Sequence, residues 1–135
     1  MDGKKHAGFT AGEPWLAVNP NYKEINVEHA IQDENSIFYY YKKLIELRKN
    51  NEIIVYGSYD LILENNPSIF AYVRTYGAEK LLVIANFTAD ESVFKLPEDI
   101  SYSEVELLIH NYDAESESID NITLRPYEAM VFKLK

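Results

Sequence analysis

The sequence predicts a mainly β protein, an antiparallel β-sandwich preceded by one long helix and an irregular N-terminal segment. Apolar residues recur at helical spacing from Ile37 to Leu47. After Asn51 the spacing changes to a period of two and is interrupted by frequent turn signals, which is typical of short strands in a sandwich or barrel-like sheet. We therefore expect a helix near residues 36–50 and strands through residues 52–135.

The first 35 residues show no regular period. Pro14 and Pro20 remove backbone donors and restrict their neighbours, so this stretch is predicted as loop with a short helical turn near residues 27–32. Such a long, poorly periodic segment is unusual inside a compact domain. We interpret it as a piece of a larger structure.

The predicted helix has candidate signals at both ends. Asp33, Asn35 or Ser36 can cap its start. Arg48 and Lys49 fall in its last turn, where positive charge suits the helix dipole. Because aromatic and apolar residues cover more than a narrow stripe, we expect this helix to be buried over much of its circumference.

The predicted strands share either alternation of apolar and polar residues or a short apolar run between turn residues. Residues 81–85 form such a run and are expected to be a central strand covered on both faces. Ile69, Ala71 and Val73 are expected to face one side of their strand. The strands are predicted at residues 53–56, 59–63, 68–76, 80–88, 92–96, 104–110, 121–124 and 128–134.

Composition excludes several classes of function. The chain has 135 residues and a net charge of −9, which argues against nucleic acid or an anionic membrane as a partner. It has no cysteine, so a disulfide, a thiolate metal site and a cysteine nucleophile are excluded. The longest apolar run, residues 81–85, is too short to cross a bilayer, and no apolar signal segment is found, so we expect a cytoplasmic protein.

We predict no catalytic, cofactor-binding or metal-ligating residue. His6, His29 and His110 are scattered without metal-ligand spacing. The acidic loop of residues 113–120 could supply oxygen ligands, but it lacks the Asp spacing of a calcium loop, and we favour a solvated acidic loop. Glycoside hydrolysis needs two carboxylates about 5–9 Å apart, and nothing in the sequence marks such a pair.

The aromatic residues raise the possibility of a sugar-binding surface. The chain has eleven tyrosines and six phenylalanines. Most fall at alternating strand positions or on the helix, where core packing explains them. Trp15, Tyr22, Tyr102 and Tyr112 lie in less regular stretches and are the candidates for exposed rings.

Four stretches of the sequence are distinctive: residues 6–27 (HAGFTAGEPWLAVNPNYKEINV), 33–49, 82–88 (LVIANFT) and 124–132 (LRPYEAMVF). Together they resemble the oligo-1,6-glucosidases and related α-glucosidases of the α-amylase superfamily (glycoside hydrolase family 13). The first stretch resembles the segment just past that family's active-site loops, and the second is similar to the last helix of its catalytic (β/α)₈ barrel. The third and fourth are similar to its C-terminal Greek-key β-sandwich, called domain C.

The resemblance implies a division of the chain. Residues 1–51 would be a remnant of the barrel, and residues 52–135 would be the C-terminal β-sandwich domain. The family's three catalytic carboxylates lie on barrel strands upstream, and no position here corresponds to them. The family usually reads Met-Gln-Trp-Asp just before this segment, whereas this chain begins Met1-Asp2-Gly3, which suggests a truncated reading frame or an artificially shortened chain.

The resemblance also implies a function for the whole enzyme, the hydrolysis of α-1,6-glucosidic bonds of isomalto-oligosaccharides and dextrins. We expect this chain to be a non-catalytic fragment that caps and stabilises the barrel and is inactive alone, without a cofactor. The alternatives are a carbohydrate-binding module, with weak oligosaccharide contact, and a protein-interaction module acting on its own. A homodimer is expected through one helix face, formed by Ile37, Phe38, Tyr41, Leu44 and Ile45.

Overall fold

The computed structural model describes residues 1–113 and 118–135. The chain divides into two compact units, Met1–Ile45 and Glu46–Lys135. The division between residues 51 and 52 that the resemblance implies stays a prediction.

The part of the N-terminal unit before the long helix is built from short helical turns. Two 3₁₀ turns, Lys5–Gly8 and Pro20–Lys23, precede helix α1, Val27–Ala30, which confirms the turn predicted there. Asn26 caps α1, because its side-chain oxygen accepts a hydrogen bond from the His29 amide at 3.0 Å. These local bonds hold the segment in shape without a strand or a long helix.

The long predicted helix is confirmed as α2, Ile37–Asn50. The caps act differently from the prediction. The Ser36 hydroxyl donates to the Ala30 carbonyl at 2.6 Å, and the Asp33 carboxylate accepts from the Asn35 amide at 3.0 Å. None of the residues of α2, all of which the structure describes, is buried. The extensive burial expected of this helix is therefore absent from this chain.

The strand predicted at residues 53–56 is wrong, because this segment is helix α3, Glu52–Tyr56. Its β-branched residues suggest a strand, but α3 lies against two strands of the sheet and Ile53 is buried there. Arg74 donates from Nε to the Ile53 carbonyl and from Nη2 to the Gly57 carbonyl, at 3.0 and 2.6 Å. The Ile53 carbonyl also accepts from the Gly57 amide at 3.1 Å, so Arg74 adds a second donor there and connects the end of α3 to β2.

The remaining strand predictions are confirmed to within one or two residues, and all strand pairs are antiparallel. A five-stranded sheet has the order β1-β2-β3-β7-β5, and a two-stranded sheet pairs β4 with β6. The residue run predicted to be a central strand lies in β3, between β2 and β7. The strands are β1 Asp60–Ile62, β2 Ile69–Tyr76, β3 Glu79–Asn86, β4 Ser92–Lys95, β5 Val105–His110, β6 Asn121–Leu124 and β7 Ala129–Leu134.

The two sheets form a sandwich because the chain changes sheet at each strand after β3. The predicted alternation is confirmed in β2, where Ile69, Ala71 and Val73 are buried. Both sheets supply the core. Its other buried members are Leu82, Ile84, Phe94, Ile100, Ile119, Ile122, Leu124, Met130, Phe132 and Leu134.

Candidate functional site

The most buried ionisable group described in the C-terminal unit is Glu128, which directly precedes β7 and is 1% exposed. Its Oε1 accepts hydrogen bonds from His110 Nε2 at 2.7 Å and from Arg125 Nε and Nη2 at 3.0 and 2.6 Å. Its Oε2 accepts from the Arg125 backbone amide. We call Glu128, His110 and Arg125 the polar junction.

The charges of the polar junction reinforce one another. Burial by itself raises the pKa of Glu128, but hydrogen bonds from Arg125 and His110 outweigh it, so this pKa lies below its ordinary value. The hydrogen bond to Glu128 raises the pKa of Arg125. The carboxylate and guanidinium therefore stay charged at neutral pH. His110 Nδ1 is buried without a hydrogen-bond partner, so Nε2 makes the hydrogen bond of this ring.

The side chains of Asn111 and Asn86 form hydrogen bonds with the backbone of the loops around the polar junction. Asn111 donates to the Tyr127 carbonyl at 2.9 Å and accepts from the Ala129 amide at 2.8 Å. Asn86, which is buried, donates to the carbonyls of Asp90 and Arg125 at 2.7 and 3.0 Å. These bonds hold the ends of β3, β5 and β6 beside the start of β7. The prediction that this segment contributes no catalytic residue stays a prediction.

Each of the three histidines has its own local surroundings. His6 lies in a 3₁₀ turn with φ 57°, and His29 Nδ1 lies 2.9 Å from the Glu24 carbonyl oxygen. His110 belongs to the polar junction. Among the described residues no cluster of three potential metal ligands is found. The acidic loop predicted at residues 113–120 is only partly covered, because residues 114–117 lie outside the described residues.

Two of the four candidate sugar-binding rings are fixed by contacts inside the C-terminal unit. The Tyr102 hydroxyl donates to Asp120 at 3.0 Å. The Tyr112 hydroxyl donates to the Pro126 carbonyl at 2.8 Å, and the Arg125 guanidinium lies 4.1 Å above its ring. In the N-terminal unit Tyr22 is half-buried and Trp15 is 93% exposed. Trp15 is therefore the candidate that presents a free ring.

The N-terminal unit exposes most of its large apolar side chains. Within residues 1–45, all of which the structure describes, Ala7 and Asn26 are the buried residues. The helix face predicted as an interface is exposed, from 37% for Leu44 to 86% for Ile37. We call this set the α2 face: Ile37, Phe38, Tyr41, Leu44 and Ile45. Phe9, Trp15, Leu16, Ile25 and Ile31 are exposed as well.

The α2 face is a candidate interface, because monomeric proteins rarely leave large contiguous apolar patches in water. A unit with so small a buried core cannot offset the conformational entropy of folding by itself. No helix in the described part of the chain is long and apolar enough to cross a membrane. The cytoplasmic location stays a prediction.

Two family models match the chain. Residues 1–57 match the alpha-amylase catalytic domain, and residues 69–131 match the C-terminal domain of the alpha-amylase SusG. The N-terminal unit and its exposed apolar surface thus fall within a match to a catalytic domain, whereas the sandwich falls within a match to a separate C-terminal domain.

Similar proteins cover the whole chain. The oligo-1,6-glucosidase of Bacillus cereus is 84% identical over 99% of this chain. The trehalose-6-phosphate hydrolase of Bacillus subtilis (strain 168) is 47% identical over 98% of it. The crystal structure of Bacillus licheniformis trehalose-6-phosphate hydrolase superposes with a TM-score of 0.94 at 49% identity over 98% of this chain. In each case the chain spans 24% of the similar protein.

Proposed function

Because this chain belongs to the α-amylase superfamily of glycoside hydrolases, we propose that it serves as the C-terminal segment of an enzyme of the oligo-1,6-glucosidase type. The whole enzyme hydrolyses α-1,6-glucosidic bonds of isomalto-oligosaccharides and dextrins. This segment completes the catalytic domain with α2 and adds a β-sandwich that caps and stabilises the barrel. It carries no catalytic group of its own.

The observation that carries this proposal is the exposed apolar surface of the N-terminal unit. Burial of one large apolar side chain is worth about 1.5–3 kcal/mol. Five such side chains on the α2 face are exposed here. A partner that covers them gains an amount comparable with the whole stability of a small domain. The match of residues 1–57 to a catalytic domain supports the barrel as that partner.

The degree of identity supports the substrate class. The chain is 84% identical to one oligo-1,6-glucosidase, against 47% for a trehalose-6-phosphate hydrolase, over nearly the same residues. Both kinds of protein share the fold of this segment, so the fold by itself does not select a substrate. The difference in identity favours an α-1,6-glucosidase.

Fragment complementation tests the proposal. The remaining part of the Bacillus cereus relative, without the quarter that matches this chain, is purified and mixed with the full chain. Neither piece alone should hydrolyse isomaltose, and the mixture should regain activity as the apolar surfaces bury each other. The reappearance of glucose with time is the measurement.

A matched pair of variants makes the test specific. Phe38→Ser with Ile45→Ser removes apolar area from the α2 face and should abolish the regained activity. Val93→Ser alters a residue on β4 that is 52% exposed and should leave it unchanged. Equal complementation by both variants, or none by the unaltered chain, would show that the α2 face does not bind the barrel.

A second candidate is a protein-interaction module that dimerises through the α2 face. The same exposed side chains favour it, because a second copy can cover them as well as a barrel can. A chain that dimerises tightly yet never complements the truncated relative would favour this candidate. A carbohydrate-binding module based on the predicted rings has weaker support, since Tyr102 and Tyr112 make contacts of their own.

A further inference from the structure

A concave groove lies beside the turn between β1 and β2 in the C-terminal unit. Its volume is about 140 Å³ and it is open to solvent. Its apolar lining consists of Leu61, Ile62, Leu63, Pro67, Ile69, Phe70 and Phe87. Pockets for drug-sized ligands measure about 300–1,000 Å³, so this groove can take only part of a larger ligand.

The frame of the groove is rigid. The Asn66 side chain accepts hydrogen bonds from the amides of Ser68 and Ile69, both at 2.9 Å. The Phe87 amide donates to the Ser68 carbonyl at 2.9 Å, which fixes the segment after β3 to the start of β2. Leu63 has φ 56°, a left-handed conformation that is unfavourable for a branched side chain. A fixed frame lowers the entropic cost of binding a ligand.

The rings at the groove are presented to solvent. Phe87 is 67% exposed and Phe70 is 42% exposed, and their centroids are 6.1 Å apart. The series continues from Phe70 to Tyr72 at 5.8 Å and from Tyr72 to Tyr59 at 5.0 Å. We call these four residues the aromatic row. Phe87, Phe70 and Tyr59 are exposed and Tyr72 is half-buried, so the row presents apolar ring surface to solvent at several angles. Exposed rings of this kind indicate a binding surface for apolar ligand faces.

The polar part of the groove favours a neutral ligand rich in hydroxyl groups. Glu64, Asn66 and Ser68 supply a carboxylate, an amide and a hydroxyl. Among the described residues that line the groove there is no Lys, Arg or His. The chain also carries a net charge of −9. Phosphorylated ligands are therefore repelled, whereas sugar hydroxyls can donate to Glu64.

We propose that this groove and the aromatic row bind glucosyl units of a neutral oligosaccharide. The apolar face of the sugar ring stacks on Phe87, the more exposed of the two rings, while Phe70, whose ring is nearly perpendicular to that of Phe87, borders the stacked sugar. The sugar hydroxyls meet the polar rim at Glu64. The choice of glucose as the sugar rests on the proposed function. The preference for a neutral, ring-shaped ligand rests on the groove itself.

Titration of the isotope-labelled full chain with isomaltotriose tests the proposal by nuclear magnetic resonance. Saturable shifts are expected at the backbone amides of Phe70 and Phe87. Glucose 6-phosphate at the same concentration should give none. Phe87→Ala should weaken isomaltotriose binding about tenfold, the loss that corresponds to one stacked ring. Since Phe87 is 67% exposed, this variant is expected to fold.

Tyr56→Ala is the matched control, because Tyr56 is 68% exposed, contacts Tyr76 and does not line the groove. It should bind isomaltotriose as the unaltered chain does. No shift at the groove, or unchanged binding by Phe87→Ala, would overturn the proposal. Equal binding of glucose 6-phosphate would overturn the charge argument.

The outcome is separable from the test of the proposed function. Complementation depends on the α2 face, so it should proceed with Phe87→Ala and without added oligosaccharide. If Phe87→Ala instead blocks complementation and isomaltotriose does not bind, a protein surface covers the groove and the proposal is wrong. If complementation fails while isomaltotriose binds, the proposal that the groove binds sugar is supported and the proposed function is wrong.

Discussion

Glu128→Gln should destabilise the C-terminal unit more than its single-atom change suggests. The carboxylate accepts hydrogen bonds from His110 and Arg125 at 2.6–3.0 Å and is 1% exposed. A glutamine keeps the shape, but it loses the charge and turns an NH₂ group toward donors. The polar junction thereby loses one of its two acceptor oxygens and its negative charge.

The magnitude follows from the burial of the two partners. Removing one partner of a buried, hydrogen-bonded ion pair costs about 3–5 kcal/mol. The Arg125 side chain is 39% exposed, so water screens part of its interaction and lowers that figure. We expect a loss of about 2–3 kcal/mol in the free energy of unfolding. For a domain of this size that corresponds to a fall in Tm of roughly 10–20 °C.

The loss should depend on pH with a defined sign. Because the pKa of Glu128 is lowered in the folded state, its contribution is present above the unfolded-state pKa of about 4.3. It disappears as the pH falls through the folded-state pKa. The difference in the free energy of unfolding between the unaltered chain and Glu128→Gln should therefore have its full size at pH 7 and become smaller in acid.

Urea unfolding followed by circular dichroism at pH 7 and at about pH 3 measures both quantities. Glu104→Gln is the matched control, since Glu104 has a 72% exposed side chain and lies 3.7 Å from Lys135. It should change the free energy of unfolding by less than about 0.5 kcal/mol. A loss of that small size for Glu128→Gln, or a loss that does not shrink in acid, would refute the reasoning.

Three further outcomes are expected. Gly57→Ala should lower the free energy of unfolding by about 1–3 kcal/mol, because its Cβ would lie 2.6 Å from the Ile53 carbonyl oxygen. Gly77→Ala, at φ 62° and with no atom within 4 Å, should lower it by about 1–2 kcal/mol through backbone strain alone. An unchanged stability of Gly57→Ala would contradict the close packing of Gly57 against Ile53. The full chain should be a dimer by light scattering at micromolar concentration, and Phe38→Ser with Ile45→Ser should shift it to monomer; if the double variant unfolds instead, the α2 face is core. The pure chain should not hydrolyse p-nitrophenyl α-glucoside or isomaltose above a buffer blank. Hydrolysis that disappears when the chain is removed from the solution would contradict a non-catalytic segment.

Local patterns were enough to predict most elements of the fold. The alternation of Ile69, Ala71 and Val73 predicts the buried side of β2, because successive side chains of a strand point to opposite faces. The apolar run in β3 predicts a central position, since a strand buried on both faces has no polar side. The spacing of the α2 face predicts an interface that this chain leaves exposed. These features depend on neighbours in sequence.

Local patterns failed where distant residues decide the outcome. The β-branched residues of α3 suggest a strand, but Arg74, which follows 21 residues after Ile53, donates to the Ile53 carbonyl and holds the end of this helix against β2. The groove was also missed, because it forms only when the β1–β2 turn meets the residue after β3. The rings of Phe70 and Phe87 fit core packing in the sequence, and the tertiary structure places both at the surface.

The sequence by itself determined the type and order of most elements, the absence of cysteine chemistry and the resemblance to a glycoside hydrolase segment, since periodicity and composition are properties of the chain read locally. The tertiary structure alone decided the partners of buried polar groups. His110 and Glu128 are 18 residues apart and meet at 2.7 Å because β5 pairs with β7. Pairing across a sheet is non-local, so no local pattern marks which histidine will meet which carboxylate.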